Sequence, residues 1–403
     1  MLTKAEATER RRVWAGPSLF SDGFRPFFLF GALHAALMMA IWVPWYLGFI
    51  RLPSAFAPVV WHSHELLFGY VPAIVAGFLL TAVPVWTGRR PIVGWPLVGL
   101  FALWLLGRGA IALSSRYPPV VVAAFSLAFP VTLFAVIARE ILVSRNWRNL
   151  PVTGAVCTLA LAQAIFHYEI WRYGRSTYGD HLAVAVTLVL ITIIGGRNVP
   201  SFTTIWPKWN SRCALPNSAD AFDLLAAVFG VAALLAWIGA PLFPANHAAI
   251  AGLLVTAGFL LAIRQVRRRL PGMLAEPLVV VLHVGYAFVP LGFLLAGYAM
   301  WTEERSAATA ATHAWMVGTT GLVTLAVMTR VTRGNTGRAL IMPFGTVLIH
   351  ALMFTAAAAR ITAALFPETA FIGLSLAGAA WIVAFTLFAS FYGSMLLRPS
   401  MPA

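Results

Sequence analysis

Charged residues are scarce in this chain, and carboxylates are the scarcest of them. Only 10% of its 403 residues are charged, and 13 Asp and Glu stand against 28 Lys and Arg. A soluble domain has about 25% charged residues, and this chain is instead 60% hydrophobic. This composition excludes a soluble globular protein and predicts a protein embedded in a lipid bilayer.

Cysteine is almost absent, and no long polar stretch is present. The two cysteines, Cys157 and Cys213, lie in different segments without CxxC spacing, which argues against a disulfide framework and an iron–sulfur cluster. The net charge of +15 is spread over short loops rather than gathered in a polar domain. We therefore expect no nucleic-acid partner and interpret the basic residues as signals of membrane topology.

Most of the chain consists of long apolar runs. A hydrocarbon core ~30 Å thick needs ~20 residues of helix to cross it. The approximate spans are 27–47, 64–86, 95–113, 119–139, 151–171, 181–200, 220–240, 246–265, 277–300, 311–330, 341–365 and 370–396. We predict an all-α polytopic membrane protein with a cytoplasmic segment over 1–26, a twelve-helix domain over 27–396 and a cytoplasmic tail over 397–403.

Basic residues alternate from loop to loop. Of the 28, 21 fall in loops on the side of the N-terminus, and seven fall on the other side or within spans. Because cytoplasmic loops are enriched in Lys and Arg, this asymmetry predicts that both ends of the chain are cytoplasmic.

The second span opens with the most unusual stretch of the chain, Trp61–Tyr70. It contains His62, His64 and Glu65, and polar groups at membrane depth are costly unless they serve a site or a partner. Residues i and i+2 of a helix point ~200° apart, so the two histidines are expected to serve different purposes. Glu65 is expected to orient a histidine or to carry protons, and a helix-capping role is the alternative for either His62 or His64.

Near the outer face lie also His167, His181, His247 and His313, whereas His34, His283 and His350 are predicted to lie deeper. Neutral imidazole is a common ligand of copper and of haem iron, which makes them candidates. The candidate metal ligands are His62, His64, His167, His181, His283 and His313. Asp180 could orient His181, whereas a structural hydrogen bond is the competing interpretation for His167. His34 and His350 are predicted to form interhelical hydrogen bonds.

Several motifs together resemble those of the NnrS family. They are Asp22–Phe28, Trp61–Tyr70, Ala76–Pro84 and Ile194–Arg197, and the similarity covers nearly the whole chain. The resemblance implies a bacterial inner-membrane protein of the response to nitric oxide that contains haem, most simply of b type, and copper. From their positions in the chain, the candidate cofactor-binding residues are His64, His283, His313 and Arg197, although Arg197 could simply cap its helix.

One position departs from the family pattern. Asn335 stands in Gly334-Asn335-Thr336-Gly337-Arg338, where the family usually has histidine, so Asn335 cannot serve as a haem ligand. The residues leave open whether the protein is a nitric-oxide-reacting oxidoreductase. A secondary transporter of a small solute or metal, and a non-catalytic haem-handling protein, are the alternatives.

Overall fold

The computed structural model describes residues 14–204, 220–267 and 277–401, and these contain helices and no strand. The helices are α1 (Phe24–Tyr46), α2 (Pro58–Thr87), α3 (Trp95–Ala112), α4 (Pro119–Val143), α5 (Leu150–Tyr173), α6 (Tyr178–Thr204), α7 (Ala221–Gly239), α8 (His247–Arg267), α9 (Pro277–Thr302), α10 (Arg305–Asn335), α11 (Phe344–Leu365) and α12 (Ala370–Leu397). Eleven of them have stretches long and apolar enough to cross a membrane, and the apolar stretch of α6, Tyr178–Ile193, is shorter. The predicted all-α polytopic fold is confirmed.

Proline and glycine mark the ends of several helices. Pro58 and Pro119 each occupy the first helical position of their helices, where the missing N–H has no intrahelical partner to lose. Gly88 and Gly174 follow α2 and α5 with φ of 69° and 71°, the left-handed conformation that glycine adopts without strain. These prolines and glycines therefore mark where the helices begin and end.

Two helices contain a π-helical segment, and each segment begins directly after a histidine. In α2 it spans Glu65–Tyr70 after His64, and in α10 it spans Ala314–Gly321 after His313. A π segment inserts extra backbone into a helix and changes which side chains share a face, and such segments are common at functional sites.

The chain forms two compact units. Unit 1 comprises Met1–Ala183, Met328–Leu340 and Ile382–Ala403, and unit 2 comprises Val184–Val327 and Ile341–Trp381. Each has aromatic side chains that are almost fully buried. Those of unit 1 include Phe24, Phe27, Phe28, Phe68, Phe129 and Phe166, and those of unit 2 include Phe293 and Trp315.

Arg25 joins the first and last helices within unit 1. Its Nη1 donates to the backbone oxygens of Met395, Leu396 and Arg398 at 3.2, 3.0 and 2.7 Å, and its Nη2 donates to Ser400 Oγ at 2.9 Å. The last carbonyls of a helix have no intrahelical donor, so this guanidinium caps α12. The start of α1 and the end of α12 therefore lie at the same end of unit 1, as expected for an even number of crossings.

We expect Arg25→Gln to lower the free energy of unfolding by about 2–4 kcal/mol, because hydrogen bonds from a charged group are lost and buried carbonyls lose their donors. Denaturant titration of the purified protein measures the change. Arg51→Gln, at an exposed arginine, is the control and should leave stability unchanged. Equal stability of the two variants would contradict the capping role.

Candidate functional site

The carboxylate of Glu65 is the centre of a buried polar network in unit 1. Glu65 is 2% exposed and opens the π segment of α2. Its Oε1 accepts hydrogen bonds from Arg108 Nη1 at 2.6 Å and from His64 Nδ1 at 3.0 Å, and its Oε2 accepts one from His34 Nε2 at 3.1 Å. An ionised carboxylate can only accept, so both histidines donate to it. Helices α1, α2 and α3 thus each supply a donor.

Arg108 supplies the positive charge that makes a buried carboxylate tolerable. It lies in α3, and its side chain is only 11% exposed. A charge taken out of water is costly unless it is paired and hydrogen-bonded, and Arg108 meets both conditions for Glu65. The sequence analysis assigned no role to Arg108, although an arginine within a membrane span is itself a signal of a functional or paired site.

Because Gly69 has no side chain, Arg108 and His34 can lie close to the backbone of α2 and reach Glu65. A Cβ atom at this position would lie 2.6 Å from Arg108 Nη1 and 2.8 Å from His34 Nε2. The carbonyl of Gly69 accepts a hydrogen bond from Trp104 Nε1 at 2.9 Å. At Gly69 the π segment is therefore closely approached by two side chains, and its backbone carbonyl is hydrogen-bonded to α3.

The second ring nitrogen of His64 faces α4. His64 is fully buried, and Ser126 Oγ lies 3.3 Å from its Nε2. Ser126 Oγ accepts a hydrogen bond from Gln163 Nε2 at 2.7 Å, which leaves its own hydrogen for His64. Because Nδ1 holds the proton donated to Glu65, Nε2 carries the lone pair. The network thus fixes one tautomer of His64.

Two polar atoms of α5 are left without a partner beside His64. The ring centroid of His167 lies 5.2 Å from that of His64, and His167 Nε2 is buried with no hydrogen bond. Gln163 lies one turn earlier on the same face, and its Oε1 is also buried with no hydrogen bond. Buried polar atoms are nearly always satisfied, so each of these two atoms is a candidate for contact with a bound ligand. The structure therefore brings together His64 and His167 of the predicted ligands.

Aromatic rings enclose this histidine pair. The centroids of Phe166, Phe68 and Phe56 lie 5.2, 5.5 and 6.0 Å from that of His64. Such walls exclude water, which strengthens the electrostatic interactions inside.

His62 lies in a different environment. Its ring stacks on Trp42 with 4.0 Å between centroids and 23° between planes. The side chains of His62 and His64 therefore have different neighbours, as the ~200° helical offset predicts. The interhelical hydrogen bond predicted for His34 is present, since it reaches from α1 to Glu65 in α2.

Glu169, Asp180 and His181 lie at the junction of α5 and α6. Glu169 accepts hydrogen bonds from Ser176 Oγ and from the backbone N–H groups of residues 177–179, at 2.9–3.1 Å, and so caps α6. Asp180 Oδ1 is buried without a hydrogen bond. Among the described residues, no group of three or more His, Cys, Asp or Glu is placed to hold a metal ion, so the six predicted ligands do not form one cluster.

Three histidines of unit 2 share one arrangement. The Nδ1 atoms of His283, His313 and His350 lie 3.0, 2.7 and 2.7 Å from the carbonyl oxygens four residues earlier. A carbonyl only accepts, so each Nδ1 is the donor and each Nε2 carries the lone pair. Metal-binding histidines are commonly oriented in this way. For His350 the predicted interhelical bond is replaced by this bond within α11.

Two residues singled out by the family resemblance remain. The side chain of Arg197 lies outside the described residues. Asn335 Nδ2 donates to the carbonyl oxygen of Val331 at 3.0 Å, so the asparagine bonds the last turn of its own helix. This is a structural role at the end of α10.

The fold and the network define a polytopic helical membrane protein with a charge-compensated histidine site buried among its first five helices. The model of the family described as NnrS protein matches residues 18–400, nearly the whole chain. The chain therefore belongs to the NnrS family, the membrane proteins of the nitric oxide response. No curated protein and no solved structure matches the chain.

We expect Gly69→Ala to destabilise the protein by about 1–3 kcal/mol, because the added methyl group must displace Arg108 or His34 from Glu65. Gly99→Ala in α3 is the matched control, since its Cβ would meet no atom within 4 Å. Alanine at that site should be neutral or stabilising because of its higher helix propensity. Denaturant titration compares the two, and equal effects would contradict the proposed close approach.

We expect Arg108→Met to destabilise the protein by about 3–5 kcal/mol, because it leaves the Glu65 carboxylate buried without a counter-charge. Adding Glu65→Gln should recover part of that loss, since the uncompensated charge is removed. A double-mutant cycle measures the coupling between the two positions. Simple additivity of the two substitutions would show that the pair is not coupled.

Proposed function

We propose that this protein acts in the nitric oxide response of a bacterial inner membrane as a copper- and haem-binding protein, with copper held between His64 and His167. The observation that carries the copper site is the pair of orphan atoms beside His64, Nε2 of His167 and Oε1 of Gln163. Both histidines are buried in unit 1, and their ring centroids are 5.2 Å apart.

The donor set suits copper. Imidazole nitrogen is a preferred ligand of copper, and the lone pair of His64 Nε2 is already selected by the proton on its Nδ1. Glu65 then plays the part that a carboxylate plays behind many metal-bound histidines, fixing the ring and raising the basicity of the ligand nitrogen. Arg108 keeps that carboxylate charged, so the support of His64 extends to α3.

The same pocket does not suit haem. His64 is fully buried, and the rings of Phe56, Phe68 and Phe166 pack around it, where a macrocycle would have to lie. Support for haem comes from unit 2, where His283 and His313 each keep a lone pair on Nε2. His313 is also flanked by the small residues Ala310, Ala311 and Ala314, which allow close approach of a planar ring.

Bound copper would supply one-electron chemistry and a position for a diatomic ligand such as nitric oxide. The residues of the chain contribute the rest. His64 and His167 would hold the ion, which at His64 Nε2 would replace the hydrogen bond from Ser126 Oγ. Glu65 orients His64, and the phenylalanine walls exclude water. A site of this kind supports binding of nitric oxide or exchange of one electron with it.

Copper analysis of the purified protein tests the proposal directly. We expect His64→Gln and His167→Gln each to reduce the copper content to background, because each removes one of the two imidazole donors. His247→Gln is the matched control, since His247 lies at the start of α8 with its side chain 30% exposed and should leave copper unchanged. Retention of copper in both site variants would refute the ligand pair.

The optical spectrum of the same samples tests the haem proposal. We expect a Soret band that persists in His64→Gln and is lost or shifted in His313→Gln, because the two cofactors are assigned to different units. Absence of a Soret band from the wild-type protein would refute haem binding while leaving the copper result intact.

A further inference from the structure

Three segments of unit 1 meet where α1 begins. Arg25 donates to the Arg398 carbonyl at 2.7 Å, Ser400 Oγ donates to the Asn335 carbonyl at 3.1 Å, and the N–H of Met401 donates to the Thr336 carbonyl at 3.1 Å. The start of α1, the end of α10 and the end of α12 are thus linked by hydrogen bonds. We call this place the arginine end of unit 1.

The arginine end carries a strong excess of positive charge. Residues 14–30, 328–340 and 382–401 contain five arginines and a single carboxylate, Asp22, so their net charge is +4 (five minus one). The arginines are Arg25, Arg330, Arg333, Arg338 and Arg398. The sequence analysis interpreted such residues as signals of the cytoplasmic side, but a topology signal needs only exposed charges.

Arg333 is not an exposed charge. It is 8% exposed, its Nε donates to the Ala339 carbonyl at 2.7 Å, and no carboxylate pairs with it among the described residues. The neighbouring Thr332 is fully buried, and its Oγ1 has no hydrogen-bond partner. A buried guanidinium without an anion is costly, and its remaining N–H groups form a fork that fits phosphate.

The surroundings favour a lipid as the source of the phosphate. Leu397 and Met401 flank Arg398 and are 53% and 55% exposed, so apolar side chains open to acyl chains adjoin the charge. Basic pockets on the cytoplasmic side of membrane proteins bind anionic head groups, whose phosphates lie at the depth of helix ends. We propose that Arg333 binds the phosphate group of an anionic phospholipid at the arginine end of unit 1.

Lipid retention by the full-length protein in mild detergent tests the proposal. Native mass spectrometry after incubation with equal amounts of phosphatidylglycerol and phosphatidylcholine should show preferential retention of phosphatidylglycerol by the wild type. Arg333→Gln should lower that retention about fivefold or more, since one arginine near a membrane surface contributes about that factor. Arg116→Gln, at an exposed arginine that follows α3, is the control and should retain lipid as the wild type does.

Inorganic phosphate at matched ionic strength distinguishes the two sources of the anion. Retention of phosphatidylglycerol in its presence supports a lipid site. Displacement of the lipid, with thermal stabilisation by phosphate in the wild type and not in Arg333→Gln, assigns the site to free phosphate and overturns the lipid proposal.

A second variant covers the case in which Arg333→Gln does not fold. Arg333→Lys keeps the charge but loses the fork, and we expect it to retain less phosphatidylglycerol than the wild type does. Equal retention of the two lipids by the wild type would overturn the proposal. So would wild-type retention in every folded variant of Arg333.

Discussion

The ion pair between Glu65 and Arg108 is the interaction on which the site in unit 1 depends. A carboxylate buried in a membrane protein persists only if a counter-charge and further donors satisfy it, and Arg108, His34 and His64 do so together. The need for these partners also constrains the packing of the helices. It brings α1 and α3 to the start of the π segment and requires glycine at position 69.

The ion pair also determines which ring nitrogen of His64 carries the lone pair. With its Nδ1 proton committed to Glu65, the imidazole keeps its lone pair on Nε2, which lies 3.3 Å from Ser126 Oγ. The ring of His167 lies next to that of His64, with 5.2 Å between their centroids. Glu65 therefore links the charge network to the histidine pair for which we propose copper binding.

Much of this could be predicted from the sequence, and the remainder depends on long-range packing. Helix number and the special status of His64 and Glu65 follow from local pattern and from the cost of polar groups in lipid. Ser126 and Gln163 carry no local signal, because their roles arise only when α4 and α5 pack against α2. The π segments were not predicted either, although each follows a histidine and contains a glycine five residues later, Gly69 and Gly318. The sequence predicts that several histidines lie near one face, but predicted depth does not specify which helices are neighbours.

The tautomer of His64 can be measured by ¹⁵N NMR of its imidazole in the metal-free protein, assigned by the signal lost in His64→Gln. We predict a protonated Nδ1 and an unprotonated Nε2, because the ionised Glu65 accepts the hydrogen bond from Nδ1. A proton on Nε2, with Nδ1 carrying the lone pair, would contradict this prediction, since Glu65 would then not orient the ring and Nε2 could not receive a metal ion.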